Sequence, residues 1–252
     1  MATYQLRPMS LGDILDTAAG VYRRYLGTLT SVAIVCLGLP TAASIYLQAR
    51  GGVLLHPWLV LALTLLQGLG SVVCAGAVVW VVSEGYLGRD PTAQEAIAQA
   101  FDRFGQIFVS GFAKYLVTAL ACLLLIVPGI IVACGYAVTV QTVMLESLDS
   151  GTDALGRSWA LTKGFKGKAF LIGLVVFLLI SIPEMAAGVL AALMPASREM
   201  FAVTASLLQI ILLPVMACAL TLFYYDLRVR KEAFDLEQLS AQLGGVVAPA
   251  RA

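Results

Sequence analysis

Few side chains in this sequence could act as nucleophiles, general bases or metal ligands. The chain has one histidine, His56, and five cysteines that lie far apart, at Cys36, Cys74, Cys122, Cys134 and Cys218. No two of them form a C-x-x-C pair, and closely spaced Cys and His residues are what a zinc site requires. The sequence also has no G-x-x-x-x-G-K phosphate loop and no G-x-S-x-G nucleophile motif. We therefore expect no catalytic residue, no metal site and no cofactor.

Three carboxylates stand at the ends of long apolar segments, at Glu84, Glu146 and Asp226. A carboxylate there meets the negative end of the helix dipole, so each one requires a nearby cation. The predicted partners are cations that end short amphipathic segments elsewhere in the chain, namely Arg24, Arg103 and Lys163. The alternative is that each acid is solvated among lipid headgroups.

Ionisable side chains are rare inside the apolar segments, and three amides stand out there. Gln67, Gln141 and Gln209 occur one to a segment, and buried amides bridge membrane helices by hydrogen bonds worth about 1 kcal/mol. We favour that role, and the alternative is that the three amides line a polar path. Glu184 follows Pro183 near the outer end of another segment. It is either a solvated carboxylate or a proton- or ion-binding site.

The composition is that of a membrane protein. The 252 residues are 60% hydrophobic and 12% charged, whereas soluble domains carry about 25% charged residues. Six apolar runs have the length that crosses a hydrocarbon core of about 30 Å, and they cover roughly 28–48, 58–82, 107–127, 129–146, 169–193 and 201–225.

The cations are distributed unevenly between the two sides of these runs. If the N-terminus is cytoplasmic, every Lys and Arg except Arg50 and Arg198 falls on the cytoplasmic side. The positive-inside rule therefore places both termini in the cytoplasm. The net charge of +1 gives no basic surface for nucleic acid.

The sequence contains a weak internal repeat of an amphipathic segment followed by two spans. Ser10 with Asp13 and Thr92 with Glu95 are spaced as capping boxes before the first two amphipathic segments. We predict an all-α integral membrane domain over 1–240 in three units, about 8–88, 89–150 and 151–230, followed by a disordered tail at 241–252. The apolar faces of the amphipathic helices would anchor the protein on anionic lipid or form a docking surface.

The two ends of the chain carry a resemblance to a known family. LRPMSLGDILD at 6–16 and YYDLRVRKEAFDL at 224–236 resemble bacterial multispan proteins named for the membrane domain of glycerophosphoryl diester phosphodiesterase. The resemblance implies a polytopic protein of the bacterial cytoplasmic membrane. The hydrolase barrel, with its metal-binding acids and histidine, is missing here, so no hydrolase activity is implied. Tyr224 and Tyr225 suit the headgroup belt, in a segment that is either a simple stop-transfer anchor or a binding element.

The sequence favours two functions of different class. The first is a non-catalytic scaffold or partner subunit that contacts membrane lipids and a membrane or cytoplasmic protein at the inner face, with a homo-oligomer possible. The second is a small permease or channel for a lipidic or uncharged solute. Repeats are common in carriers, although inverted repeats are the commoner kind and these share one orientation.

Overall fold

The computed structural model describes residues 9–49, 56–194 and 198–232. Within these ranges the chain is helical and contains no strand, which confirms the all-α prediction. The elements are α1 (Leu11–Arg24), α2 (Leu26–Ala33), a π-helical turn (Ile34–Gly38), α3 (Leu39–Ala49), α4 (Pro57–Tyr86), α5 (Ala93–Asp102), α6 (Phe104–Leu124), α7 (Ile126–Gly135), α8 (Thr139–Leu145), α9 (Asp153–Thr162), α10 (Lys166–Leu193) and α11 (Arg198–Glu232).

Six helical segments of the described chain are long and apolar enough to cross a membrane. They are Leu26–Leu47, Pro57–Tyr86, Phe104–Leu124, Ile126–Leu145, Lys166–Leu190 and Val203–Glu232. Each overlaps one predicted run and differs from it by several residues at the ends. The protein is therefore a multi-pass membrane protein, as the composition indicated.

The amphipathic helices α1, α5 and α9 each precede a pair of spans. The two predicted capping boxes are present, because Ser10 accepts a hydrogen bond from the Asp13 N–H at 3.2 Å and Thr92 accepts one from the Glu95 N–H at 3.3 Å. Helix α9 begins at Asp153 without a side-chain cap. These three helices gather with the adjoining ends of α4, α8, α10 and α11 at one end of the bundle, here called the charged end.

The apolar faces of α1, α5 and α9 pack on the protein's own spans. Ile14 and Ala96 are fully buried and Leu161 is nearly so, because α1 packs against α11, α5 against α4, and α9 against α8. The faces that the sequence predicts to anchor the protein in lipid are therefore largely occupied by its own spans, although Phe101 of α5 remains 61% exposed. The apolar faces turn inward because packing against the spans removes their side chains from water.

The fourth span is broken between α7 and α8. Helix α7 ends at Gly135, and the Gly135 carbonyl accepts hydrogen bonds from the hydroxyls of Ser158 at 3.0 Å and Thr162 at 2.9 Å. A Cβ on Gly135 would lie 2.2 Å from the Trp159 ring. Irregular backbone in a membrane protein requires such internal partners, so α9 both covers the break and satisfies it.

The first two spans approach each other closely at the π-helical turn. A Cβ on Gly70 of α4 would lie 2.3 Å from the Cys36 carbonyl oxygen of that turn. Because the obstacle is backbone and not a flexible side chain, no larger residue fits without moving a helix.

We expect Gly70→Ala to destabilise the protein by about 1–3 kcal/mol, the usual cost of overpacking. Gly68→Ala is the matched control, since a Cβ there meets nothing within 4 Å and alanine favours the helix. Thermal unfolding in detergent measures both. Equal melting temperatures for the two variants would contradict the close approach.

Candidate functional site

The end of α11 is the most buried part of the charged end. Tyr224, Tyr225, Asp226 and Leu227 are 0% exposed, and Arg228 is 5% exposed. The prediction that the two tyrosines lie in the headgroup belt is wrong, because α1, α4 and α9 pack against α11 and bury both side chains. The Tyr225 hydroxyl instead donates a hydrogen bond to the Ser83 hydroxyl at 2.7 Å.

Asp226 joins three parts of the chain. Its carboxylate accepts hydrogen bonds from Lys168 of α10 at 2.6 Å, from Arg230 at 2.9 Å and from the Met9 backbone N–H at 2.7 Å. Lys168 and Arg230 also donate to the Met9 carbonyl, at 2.6 and 2.8 Å. The segment before α1, the start of α10 and the end of α11 are thus fixed around one buried carboxylate.

Glu146 organises a second cluster just after α8. It accepts from the Tyr224 hydroxyl at 2.9 Å and pairs with Arg157 at 2.7 Å and Arg228 at 3.3 Å. Both arginines also pair with Glu232. Burial alone would lower the pKa of Arg157, but the hydrogen bonds and charges of Glu146 and Glu232 raise it above its ordinary value.

All three predicted acids are ion-paired, but the predicted cations are not their partners. Glu84 pairs with Arg89 at 3.0 Å, and the partners of Glu146 and Asp226 are those just given. The prediction that Arg24, Arg103 and Lys163 pair with these carboxylates is therefore wrong.

The orientation of the amphipathic helices explains where Arg24, Arg103 and Lys163 lie. Since the amphipathic helices turn their apolar faces inward, Arg24 and Lys163 are exposed on the outside of the charged end, and Arg24 lies 5.4 Å from the centre of the Tyr25 ring. Arg103 donates to the backbone carbonyls of Val143 and Glu146, the latter at 2.8 Å. It therefore caps the C-terminus of α8.

The predicted glutamines lie in two separate places. Gln67 and Gln209 line one cavity of about 150 Å³ that also includes Thr41 and Ser71, and the Gln67 amide donates to the Thr41 hydroxyl at 3.3 Å. Gln141 lies in α8, 2% exposed and outside that cavity. A single polar path through all three amides is thus not present, although the predicted amide hydrogen bond is present for Gln67.

Within the described ranges, no three His, Cys, Asp or Glu side chains are arranged to hold a metal ion. His56 immediately precedes α4, and Glu184 is half-buried within α10. Comparison of the chain with protein-family models, with curated proteins and with solved structures gives no match.

We expect Asp226→Asn to lower the stability of the protein by about 3 kcal/mol, because removing one partner of a buried ion pair leaves the other uncompensated. This figure is at the lower end of the usual range, since Lys168 and Arg230 are 16% and 29% exposed. The exposed acid Asp16 supplies the control as Asp16→Asn. If Asp226→Asn has the same melting temperature as the wild type, the cluster does not hold the segments together.

Proposed function

We propose that this protein is a non-catalytic component of a bacterial cytoplasmic membrane, a scaffold or partner subunit that contacts lipid and other proteins at the inner face. The observation that carries the proposal is the division of charge at the charged end. The buried ionisable groups are engaged with one another, while cations of α1 and of the turn after α9 lie on the outer surface. Such an arrangement gives a platform cross-linked by ion pairs, whose surface carries these cations beside exposed acids such as Asp13 and Asp16.

The orientation of the platform follows from charge. Met9 and Glu232 both belong to the charged end, which supports placing both termini in one compartment. The concentration of cations at that end supports the cytoplasm as that compartment. The family resemblance at the two ends of the chain supports the bacterial inner membrane as the location.

The exposed cations suit the anionic surface of an inner leaflet. Arg23, Arg24 and Lys163 are exposed, and each cation near an anionic membrane surface contributes about 1 kcal/mol of attraction. A protein partner would meet the same surface where it extends beyond the headgroups. Enzymatic action on lipid has no comparable support.

Native mass spectrometry of the protein extracted with its surrounding lipid in polymer discs tests this function. We expect a stoichiometric protein partner, together with phosphatidylglycerol whose retention falls several-fold in Arg23→Gln/Arg24→Gln. Arg198→Gln removes a cation at the start of α11 and should leave retention unchanged. A wild-type protein that carries no partner and shows no dependence on these arginines would contradict the proposal.

A second candidate function is passage of a small uncharged solute, favoured by the cavity that Gln67 and Gln209 share beside the π-helical turn, because such turns are frequent at functional sites. We expect proteoliposomes to take up a small polyol, with uptake lost in Gln67→Leu and Gln209→Leu but kept in Gln141→Leu. Wild-type proteoliposomes that remain tight to a broad panel of uncharged solutes would remove this candidate.

A further inference from the structure

An acidic cleft lies on the surface of the charged end. It has a volume of about 360 Å³ and lies between the last turns of α4 and the first turns of α5. Its lining residues are Trp80 and Glu84 of α4, Arg89, Asp90 and Pro91 of the connection, and Glu95 and Gln99 of α5. Three carboxylates and one guanidinium give this cleft an excess of negative charge.

The carboxylate of Glu84 is the unusual group in the cleft. Its side chain is 9% exposed, and Oε2 pairs with Arg89 at 3.0 Å. The other oxygen, Oε1, is buried and has no hydrogen-bond partner among the described residues. A buried carboxylate oxygen without a donor costs free energy, so this position is suited to a ligand that brings an N–H group.

The chemistry of the walls selects an organic ammonium over a bare metal ion. The carboxylates of the cleft are not arranged as a metal-binding group of the described chain. The volume lies within the range of small-molecule pockets and far exceeds that of a single ion. Trp80 precedes Glu84 by one helical turn and lines the same cleft, and an ammonium is attracted to an aromatic ring.

The position of the cleft identifies the source of the ammonium. Trp80 and Glu84 belong to the last turns of a membrane span, where lipid headgroups lie. The Arg89 side chain is 47% exposed beside Glu84. The planar guanidinium of arginine matches the geometry of a phosphate group, so Arg89 is suited to contact a lipid phosphate. Because Glu84 and Arg89 lie side by side, 3.0 Å apart, the pair offers an acceptor and a cation to a ligand with an ammonium and a phosphate a few bonds apart.

We propose that this cleft binds the headgroup of an ethanolamine phospholipid, with its ammonium donating to Glu84 and its phosphate meeting Arg89. The proposal deepens the lipid contact described under the proposed function and rests on it only for placing the charged end at headgroup depth. It is independent of the exposed arginines of α1, which would meet anionic lipid.

The test is lipid exchange followed by native mass spectrometry of the full chain in nanodiscs of phosphatidylethanolamine and phosphatidylglycerol in equal amounts. We expect retention of phosphatidylethanolamine over phosphatidylglycerol by the wild type, and a drop of at least tenfold in that preference for Glu84→Gln. Asp90→Asn, at an exposed position of the cleft, should lower it several-fold. Asp102→Asn, an exposed acid of α5 outside the cleft, is the matched control and should retain the wild-type preference.

Each arm has an outcome that overturns the proposal. Equal retention of the two lipids by the wild type would do so, as would an unchanged preference in folded Glu84→Gln. If Glu84→Gln does not fold, Asp90→Asn and Trp80→Leu decide in its place. Binding of soluble phosphoethanolamine without retention of the lipid would reassign the cleft to a soluble ligand and overturn the lipid source. A missing protein partner or unaltered phosphatidylglycerol retention in Arg23→Gln/Arg24→Gln counts against the scaffold function and leaves the cleft untouched.

Discussion

The burial of a carboxylate at Asp226 is the constraint on which the charged end depends. A charge removed from water is tolerated only when cations and hydrogen-bond donors surround it, and Asp226 is 0% exposed. Its donors come from the segment before α1, from α10 and from one turn further along α11. These segments are distant in sequence, so satisfying one side chain brings the first and last described parts of the chain together.

The amphipathic helices derive their role from this arrangement. Because their apolar faces cover the spans and the polar cluster, water and lipid are kept from the end of α11. Their outward faces carry exposed charges of both signs. The same helices therefore stabilise the interior and form the exposed surface of the charged end, and the cleft beside Glu84 lies between α4 and α5.

The sequence predicted the features that depend on local periodicity. The apolar runs, the all-α class and the capping boxes at Ser10 and Thr92 follow from residue spacing along one helix, and they are present. The shared position of Gln67 and Gln209 agrees with their equal spacing of 17 residues from Glu84 and Asp226. The need of each terminal acid for a cation follows from the helix dipole and is also met.

The features that depend on how helices face one another were not predictable in the same way. The choice of Arg89 over Arg24 as the partner of Glu84 depends on which side of α1 turns inward, and amphipathicity alone does not distinguish protein from lipid. One signal was available, since Asp226 with Arg230 and Arg228 with Glu232 are four residues apart and such pairs are neighbours on a helix. The break after Gly135 has no comparable signal, because its partners Ser158 and Thr162 lie in another helix.

A double-mutant cycle between Asp226 and Lys168 tests the central claim most directly. Asp226→Asn, Lys168→Met and the double variant would be compared by their unfolding free energies in mild detergent. The buried ion pair predicts a coupling of about 0.5–3 kcal/mol, the range for residues in direct contact within one network. Additive effects, with no coupling, would contradict the account that this carboxylate holds the charged end together.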